Sequence, residues 1–486
     1  MKKQLAALAV LTVLSLALLG TAHRWVNSAR EKVSLEETML RGDRRAVEGI
    51  AAVYRTQDEK GQLRWETALR LDDPAAQETT FRFAAVPQRM DRTGSEVRLS
   101  FDTWFSVITS GSYDLLEDGP TDLGPLKVVA AEVAARTAAG EERTERLDMR
   151  DYFPYLPLQL QVILDGRSYS LTEEGRAALT DYLRFPLTKE SEVDVTIEKG
   201  GDGYVRKAAC QPVEGAEGDY GVFLPAWSLV LENGICLLPL RAENREEKIT
   251  PAPCGAGTGI FLLPVEKRSV GKGSSAKPNL DLDPERARLL FPIAEGTELV
   301  GLRLDEAQGR LLLFTREGSW LYLTVIGGAD GSLHQRAAVM EVGEDGYVQF
   351  LYVGDGFLVA ALDSGDFQLM EEGRKGYAPA LSGRLEEEED VMVSQARSCL
   401  LGLRPSLHWD GERLVWAAAI SDRSWSVGGC NQIIDYTAAA DGFCAAVFDT
   451  TGMTYLAHWG CSLGREASGS YLEERGLELI SLAGEE

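Results

Sequence analysis

The sequence predicts a mostly β protein, built as a β-propeller-like body of about seven blades, with a range of six to eight. Three observations predict this class. Apolar residues alternate over stretches of about four to eight residues, which is the period of strands. Gly, Asp and Ser interrupt these stretches at turn-like intervals. The chain has 486 residues, enough for one large all-β unit or for about three ordinary domains.

The clearest repeat lies at residues 298–341, where four candidate strands follow one another within the length of a propeller blade. A second block with the same succession of apolar strands and turn residues begins near Tyr347. The glycine before the second strand recurs from Gly309 to Gly356, and 356 minus 309 is 47 residues. The candidate strands of the two blocks are 299–304, 310–315, 320–326, 333–339, 347–352, 357–362, 367–370 and 377–381. Segments 412–417 and 442–448 repeat the inner hairpin.

The earlier half is also strand-like but less regular. Its candidate strands are 47–54, 63–71, 79–84, 97–108, 158–164, 193–197, 220–231 and 235–240. A helical insertion is expected near 172–185, because Ser170 and Glu173 have the spacing of a capping box and Pro186 ends the helical pattern. Residues 127–139 are ambiguous, since their alanines permit a helix while their valines favour a strand, and we expect a strand. Residues 266–279 have the composition of a linker.

The N-terminus has the features of an export segment. Lys2 and Lys3 precede an uncharged apolar run at 5–22, and its 18 residues would extend roughly 27 Å as a helix. We expect a single-pass cell-membrane anchor, with a cytoplasmic stub at 1–4, a juxtamembrane linker at 23–45 and an extracytoplasmic domain at 46–486. The alternative is a secreted protein cleaved after the small residues that end at Ala22.

Composition excludes several classes of protein. Fifty basic and 75 acidic residues give a net charge of −25, which argues against binding to nucleic-acid phosphates. A hydrophobic content of 44% is that of an ordinary globular protein. The seven cysteines leave their disulfide state open. Four of them lie late in the chain and allow up to two bridges in three connectivities; these are Cys399, Cys430, Cys444 and Cys461. Cys210, Cys236 and Cys254 then leave an odd thiol.

The layout resembles uncharacterised bacterial membrane-anchored proteins with an extracytoplasmic β-propeller-like body. The residues that carry the resemblance are 41–54, 133–138, 310–317 and 320–326. The resemblance spans most of the chain and implies location and fold. It brings no activity with it, because its motifs are strand patterns without a catalytic signature.

No catalytic, metal or cofactor motif is found in the sequence, so we expect no catalytic residue, no metal and no cofactor. The ligand-binding candidates are two similar segments, His408-Trp409-Asp410 and His458-Trp459. The histidines are 458 minus 408, or 50, residues apart, which is about one blade. Equivalent positions in two blades would bring them to a central channel. The alternative is that both are structural residues at strand ends. The five acids at 386–390 are interpreted as a solvated loop.

The function predicted from these observations is a non-catalytic, membrane-anchored binding or protein-interaction module. Its expected partner is an extracytoplasmic protein or a small ligand. The alternative is a surface hydrolase or lyase that acts on glycans from the same scaffold, since a carboxylate pair needs to meet only in space. Convergent carboxyl groups with displaced pKa values would favour the enzyme, and exposed apolar side chains would favour the interaction module.

Overall fold

The computed structural model describes most of the chain. The described residues are 11–24, 34–57, 63–83, 96–100, 107–113, 126–164, 167–187, 192–213, 226–243, 248–270, 277–283, 285–402, 405–419, 442–462 and 476–481. Over these residues the protein is mostly β strand, with many small antiparallel sheets. The chain divides into two compact units. Unit 1 comprises residues 1–92 and 344–486, and unit 2 comprises residues 93–343.

The elements are numbered in chain order. The helices are α1 (11–24), α2 (Leu126–Arg136), α3 (Glu173–Leu183) and α4 (Val391–Leu400). The strands up to α3 are β1 (Leu35–Gly42), β2 (Ile50–Gln57), β3 (Leu63–Arg70), β4 (Gln77–Phe83), β5 (Glu96–Ser100), β6 (Val107–Tyr113), β7 (Glu142–Asp148), β8 (Gln159–Leu164) and β9 (Arg167–Leu171). Those from α3 to the end of unit 2 are β10 (Glu192–Lys199), β11 (Val205–Pro212), β12 (Ala226–Leu231), β13 (Gly234–Glu243), β14 (Lys248–Pro251), β15 (Gly259–Leu263), β16 (Val265–Val270), β17 (Lys277–Leu282), β18 (Arg288–Pro292), β19 (Glu298–Asp305), β20 (Arg310–Glu317), β21 (Trp320–Gly327) and β22 (Leu333–Glu341). The remaining strands are β23 (Val348–Val353), β24 (Phe357–Leu362), β25 (Asp366–Gly373), β26 (Gly376–Arg384), β27 (Pro405–Trp409), β28 (Leu414–Ala419), β29 (Gly442–Asp449), β30 (Gly452–Cys461) and β31 (Gly476–Ser481).

The described part of unit 1 contains three sheets, and two of them take a strand from the opposite end of the chain. Strands β23 to β26 form one sheet in chain order. Strands β27 to β30 form the second, and β1 completes it by pairing with β30, so that Leu35 stands across from Cys461. Strands β2 to β4 form the third, which β31 completes by pairing with β2. The N- and C-terminal segments are therefore exchanged between neighbouring sheets.

Two hydrophobic cores hold unit 1 together, one on each face of the β27–β30 sheet. The α4 core joins that sheet to β23–β26 and α4, and it includes Trp416, Phe448 and Leu400. The terminal core joins the other face to β2, β3 and β31, and it includes Tyr54 and Trp459. Because successive strand residues point to opposite faces, β28 serves both cores with alternate side chains.

The described part of unit 2 contains four sheets. Strands β19 to β22 form one in chain order, and β12, β13, β15 and β18 form another, with β14 paired to β13. The other two are interleaved along the chain, in the orders β6-β11-β10-β7 and β16-β17-β9-β8-β5. Strands β17 and β9 pair in parallel, unlike the antiparallel pairs that dominate. Helices α2 and α3 pack with these strands in one core that includes Val133 and Leu179.

Many sequence predictions agree with the structure. The eight strands expected between residues 299 and 381 are confirmed as β19 to β26, with boundaries that differ by a few residues. The helical insertion is confirmed as α3. Its N-cap, however, is Thr172, whose hydroxyl accepts from the N–H of Gly175, and not Ser170. Ser170 lies in β9 and stands across from Gln161 on β8.

Two local predictions were wrong. Residues 126–136 form α2 and not a strand, because Leu126, Val129 and Val133 fall on one face at helical spacing and are fully buried. Of the expected linker at 266–279, residues 266–270 lie in β16 and 277–279 in β17, which pair with each other, and the remaining residues lie outside the described part of the chain. The acidic run at 386–390 is a mostly exposed loop, as expected, and it leads directly into a helix, α4, that was not predicted.

The N-terminal segment is helical at 11–24, where its side chains are exposed. Within the described residues, no helix has both the length and the apolarity needed to cross a bilayer. Part of the stretch predicted as a juxtamembrane linker, residues 23–45, contains β1. Burial of Leu35, which is 1% exposed in the terminal core, accounts for the ordered strand there.

Candidate functional site

The two histidines predicted to share a ligand site lie on the same sheet but on opposite faces. His408 on β27 stands across from Val415, which belongs to the terminal core. His458 on β30 stands across from Cys444, which belongs to the α4 core. Residues directly opposite in an antiparallel pair share a face. Strands β27 and β30 are also three spacings apart, or roughly 14 Å. The structure therefore does not bring these two side chains together.

Each histidine has a buried ring nitrogen. The Nε2 atoms of His408 and His458 are shielded from solvent and have no hydrogen-bond partner among the described residues. Burial lowers the pKa of both side chains, and at His408 the charge of Asp410 opposes that effect. Both rings are therefore favoured in the neutral form near pH 7, which makes them poor cationic groups for anion binding.

The other members of the first motif lie at the end of β27 and in the turn that follows it. Trp409 donates from Nε1 to the Glu371 carboxylate at 3.2 Å. Asp410 accepts from the N–H groups of Glu412 at 2.9 Å and Arg413 at 2.7 Å. Burial alone would raise the pKa of Asp410, but these N–H groups and the Arg413 guanidinium lower it overall. Arg413 also donates to the Ala46 carbonyl at 3.0 Å, which ties this turn to the segment before β2.

Trp459 of the second motif is a core residue. Its side chain is fully buried and stacks on Phe443, with ring centroids 5.6 Å apart and an interplanar angle of 6°. Its Nε1 donates to the Tyr455 hydroxyl at 3.3 Å, and that hydroxyl donates to Glu37 on β1 at 2.8 Å. Burial, followed by the Glu37 charge, raises the pKa of Tyr455. The five predicted residues thus do not form one shared site, and a ligand-binding role for any of them stays a prediction.

A different surface presents groups suited to binding. We call residues 386–392 the acidic–apolar segment, since five consecutive acids are followed by Val391 and Met392. Val391 is 67% exposed and Met392 is 37% exposed. Arg41 on β1 forms ion pairs with Glu386 at 3.4 Å and with Glu388. Glu387 and Glu389 are exposed.

The first turn of α4 gives the acidic–apolar segment a fixed geometry. Asp390 is the N-cap, and its carboxylate accepts from the N–H groups of Met392 at 2.8 Å and Val393 at 3.2 Å. Val393, Ala396 and Leu400 then bury one face of the helix in the α4 core. Val391 and Met392 consequently project from an anchored helix. A local signal for this helix exists in the sequence, because Asp at the N-cap precedes apolar residues at helical spacing.

Unit 2 has an open cavity of about 380 Å³. Its lining combines one cation and one acid with small and rigid residues, namely Arg241, Thr250, Pro251, Pro253, Glu295 and Gly296. Arg241 and Thr250 stand across from each other on β13 and β14. Across the described ranges, no three His, Cys, Asp or Glu side chains are grouped so that they could hold a metal ion.

Among the described residues, the carboxyl groups with displaced pKa values are all displaced downwards. The Arg70, Arg150 and Arg146 side chains, as hydrogen-bond donors, lower the pKa of Asp72, Asp148 and Asp194 respectively. The pKa of Asp330 is lowered by hydrogen bonds from the backbone and side chain of Ser332. These carboxylates stay ionised at neutral pH. A general acid for glycoside hydrolysis requires the opposite displacement.

The comparisons with known proteins identify no family. No family model matches the chain, and no curated protein matches it. Similar solved structures include a candidate 6-phosphogluconolactonase of Bacteroides fragilis NCTC 9343, with 10% identity, 89% of this chain and 99% of that chain covered, and a TM-score of 0.30. A second is Hsv2 of Kluyveromyces lactis, with 9% identity, 55% and 79% covered, and a TM-score of 0.23. Likeness at this level assigns no activity to the chain.

Proposed function

We propose that this chain is a non-catalytic interaction module that acts outside the cytoplasm and binds a protein partner through the acidic–apolar segment. In this proposal residues 5–22 retain the module at the cell membrane, and cleavage near Ala22 would instead release the same module as a secreted protein. The partner presents a segment with basic and apolar side chains. The proposed body is a β-propeller of about seven blades.

The number and closure of the sheets support the proposed body. The described residues form seven sheets of four or five strands. Strand β1 completes a sheet made by the end of the chain, and β31 completes a sheet made by its beginning. Pairing between the start and the end of a chain is one way to fasten a closed ring of sheets. Such a ring provides a rigid scaffold that holds exposed loops and helix ends in place.

The observation that carries the binding role is the exposure of two apolar side chains beside a run of acids on an anchored helix. Val391 and Met392 remain accessible although the next residue, Val393, is 7% exposed in the α4 core. Exposed apolar groups rimmed by charge are typical of protein-interaction surfaces. The acids select a basic partner and repel other acidic proteins, because charge complementarity contributes to specificity and association rate.

The alternative function is a hydrolase or lyase that acts on surface glycans. Retaining and inverting mechanisms both need a carboxylic acid whose pKa is raised, so that it can protonate the leaving group. Within the described part of the chain, the carboxyl groups with displaced pKa values are held ionised by arginines and N–H groups, as at Asp148 and Asp194. This direction supports the interaction module over the enzyme.

A binding experiment with defined peptides tests the proposal. The probe is a labelled amphipathic Lys/Leu peptide of about 18 residues, with a Glu/Leu peptide of the same pattern as its counterpart. Fluorescence anisotropy on the full chain should show salt-dependent binding of the basic peptide only. The double variant Glu387→Lys/Glu389→Lys should weaken that binding by about tenfold or more.

Matched variants distinguish binding by the acidic–apolar segment from general attraction of the basic peptide to an acidic protein. Glu306 is an exposed acid in unit 2, and Glu306→Lys should leave the affinity unchanged. Val391→Ser/Met392→Ser tests the apolar component, and it should weaken binding without changing the salt dependence. Equal affinities for wild type and the Glu387→Lys/Glu389→Lys variant would refute the acidic–apolar segment as the binding surface.

The location has its own test. Membrane fractionation of cells that express the full chain, followed by intact-mass measurement, distinguishes a retained N-terminus from one cut near Ala22. Protease added to intact cells or spheroplasts should digest the body in the anchored form. A body that is protected from protease in intact spheroplasts would contradict the proposed extracytoplasmic location.

A further inference from the structure

We propose that Cys399 of α4 and Cys444 of β29 form a disulfide that fastens α4, the helix that carries the end of the acidic–apolar segment, to the neighbouring sheet. The inference concerns a covalent modification and does not depend on the proposed partner. Both thiols are free in the structure. They are 45 residues apart in the chain, as 444 minus 399, and belong to different elements of unit 1.

Backbone contacts place the two sulfurs on the same side of the sheet. The Cys399 Sγ lies 3.2 Å from the carbonyl oxygen of Ala418 on β28. Ala418 stands directly across from Cys444 on β29, and both belong to the α4 core. The next helical residue is held as well, because Trp416 Nε1 donates to the Leu400 carbonyl at 2.9 Å. The last turn of α4 is thus fixed against β28 at the level of Cys444.

The other late cysteine in the described part of the chain is directed elsewhere. Cys461 lies on β30 in the terminal core, on the opposite face of the sheet from Cys444. Because the sheet separates them, a bridge between Cys461 and either member of the proposed pair would require the sheet to open. Of the three connectivities open to the four late cysteines, the geometry selects the one that contains Cys399–Cys444.

The two thiols have different roles in the oxidation. Contact with Cys399, followed by burial, raises the pKa of the Cys444 thiol, so Cys444 is a poor first nucleophile. Cys399 is partly exposed.

The oxidant is a low-molecular-weight or protein disulfide, RSSR. The Cys399 thiolate attacks one sulfur of RSSR, forming a mixed disulfide and releasing RS⁻. The Cys444 thiolate then attacks the Cys399 sulfur, the protein disulfide forms, and a second RS⁻ leaves. The two thiol protons convert both RS⁻ to RSH, so two protein thiols are oxidised while one RSSR is reduced.

The test uses the full chain, purified under reducing conditions and then equilibrated with oxidised glutathione. After an acid quench and alkylation, peptide mass spectrometry should find one peptide that contains Cys399 joined to one that contains Cys444. Oxidation should raise the midpoint of thermal unfolding by roughly 5 °C or more, because a cross-link over 45 residues restricts the unfolded chain. Addition of dithiothreitol should reverse the shift.

Two variants make the test specific. Cys399→Ser keeps the size and hydrogen-bonding capacity at the Ala418 carbonyl, and it should fold with the unfolding midpoint of the reduced wild type but show no redox shift. Cys254→Ser removes a partly exposed thiol of unit 2 and should keep the full shift. The proposal is overturned if Cys399 and Cys444 both remain alkylatable after oxidation, or if Cys399 is found joined to Cys430 or only to glutathione. It is also overturned if the Cys399→Ser variant retains the shift.

Discussion

The sheet of β19–β22 and the sheet of β27–β30 with β1 have similar strands but are assembled in different ways. In the first, each strand pairs with its neighbour along the chain, and every turn is short. In the second, β1 reaches β30 across more than 400 residues, since Leu35 stands across from Cys461. Local pairing needs little loop closure, whereas the distant pairing must overcome a larger entropic cost.

The distant pairing is reinforced by a buried side-chain bond, whereas the ion pairs of the local sheet, Arg316–Glu298 and Arg336–Glu317, have more exposed carboxylates. Glu37 on β1 has a side chain that is only 3% exposed, and it accepts from the Tyr455 hydroxyl on β30 and pairs with Arg44. A second contact joins the turn between β27 and β28 to the segment between β1 and β2, where Arg413 donates to the carbonyls of Ala46 and Glu48. The comparison indicates that strand exchange adds a buried polar contact, the Tyr455–Glu37 hydrogen bond, to the apolar packing that both sheets share.

Removing an exchanged strand should have the largest effect. Truncation after Arg475 deletes β31, whose Leu477 and Leu479 pack on the terminal core. We expect the free energy of unfolding of unit 1 to fall by several kcal/mol, which is a large part of the roughly 5–15 kcal/mol of a typical domain. Hydrogen exchange measured by mass spectrometry should show faster exchange in β2 and β28, with β20 and β21 still protected.

The control for this truncation is a chain that ends at Ser481, which keeps β31. A synthetic peptide of residues 476–486 added to the truncated chain should restore protection in β2, and a scrambled peptide should not. Equal loss of protection in β20 and β21 would show that the local sheet also depends on the exchanged strand.

Removing the buried hydroxyl of Tyr455 should have the next largest effect on stability. Tyr455→Phe leaves the Glu37 carboxylate without one of its donors and the Trp459 N–H without its acceptor, and we expect a cost of about 1–3 kcal/mol in urea unfolding. The matched variant in the local sheet is Tyr322→Phe, where the ring remains beneath the Arg336 guanidinium at 4.7 Å. Its cost should be below about 0.5 kcal/mol. Equal costs would remove the energetic difference between the two sheets.

The turn that holds Arg413 should contribute less. Asp410→Asn removes the charge that pairs with Arg413 but keeps one side-chain oxygen for the N–H groups of the turn. We expect a loss of about 1 kcal/mol by urea unfolding. Asp330→Asn is the counterpart at the turn between β21 and β22, where the carboxylate accepts from Ser332 and is fully exposed. A larger loss at Asp330 than at Asp410 would contradict the role assigned to the Arg413 junction.

The smallest effect concerns pH. Burial lowers the pKa of His408 and His458 in the folded protein, so the unfolded chain binds more protons just below the ordinary histidine pKa of about 6.5. Stability should therefore fall as the pH decreases through that value. Because both rings are partly exposed, we expect less than about 1 kcal/mol from each.

Urea unfolding at pH 7 and pH 5 measures this effect. The double variant His408→Gln/His458→Gln should lose part of the pH dependence of wild type. His334→Gln, at an exposed site in β22, should retain it. The lowered pKa values of the aspartates act in a separate window, below about pH 4. A stability that rises on acidification from pH 7 to pH 5 would be inconsistent with neutral buried histidines.

Part of the candidate site was within reach of sequence reasoning. The acids at 386–390 form the solvated loop that the sequence predicted, whereas the helix that follows them was not predicted. Asp390 with Val393, Ala396 and Leu400 supplies the cap and the helical spacing, so the information was local. The exposure of Val391 and Met392 was not within reach, because it depends on which face of α4 the two sheets cover. The placement of His408 and His458 on opposite faces likewise depends on the pairing of β27 to β30.

The sequence by itself determined the strand content, the hairpins of β19 to β26, the insertion of α3 and the acidity of the surface. These features follow from side-chain period, turn residues and charge, which act over a few neighbouring positions. Only the tertiary structure decided that α2 is a helix, that β5 to β18 interleave, and that β1 and β31 exchange between sheets. Those outcomes depend on contacts between residues far apart in the chain, such as Leu35 with Cys461 and Ile50 with Ser481. No local pattern encodes such a partner, because many strands could present a compatible edge and the choice is made by burial in a shared core.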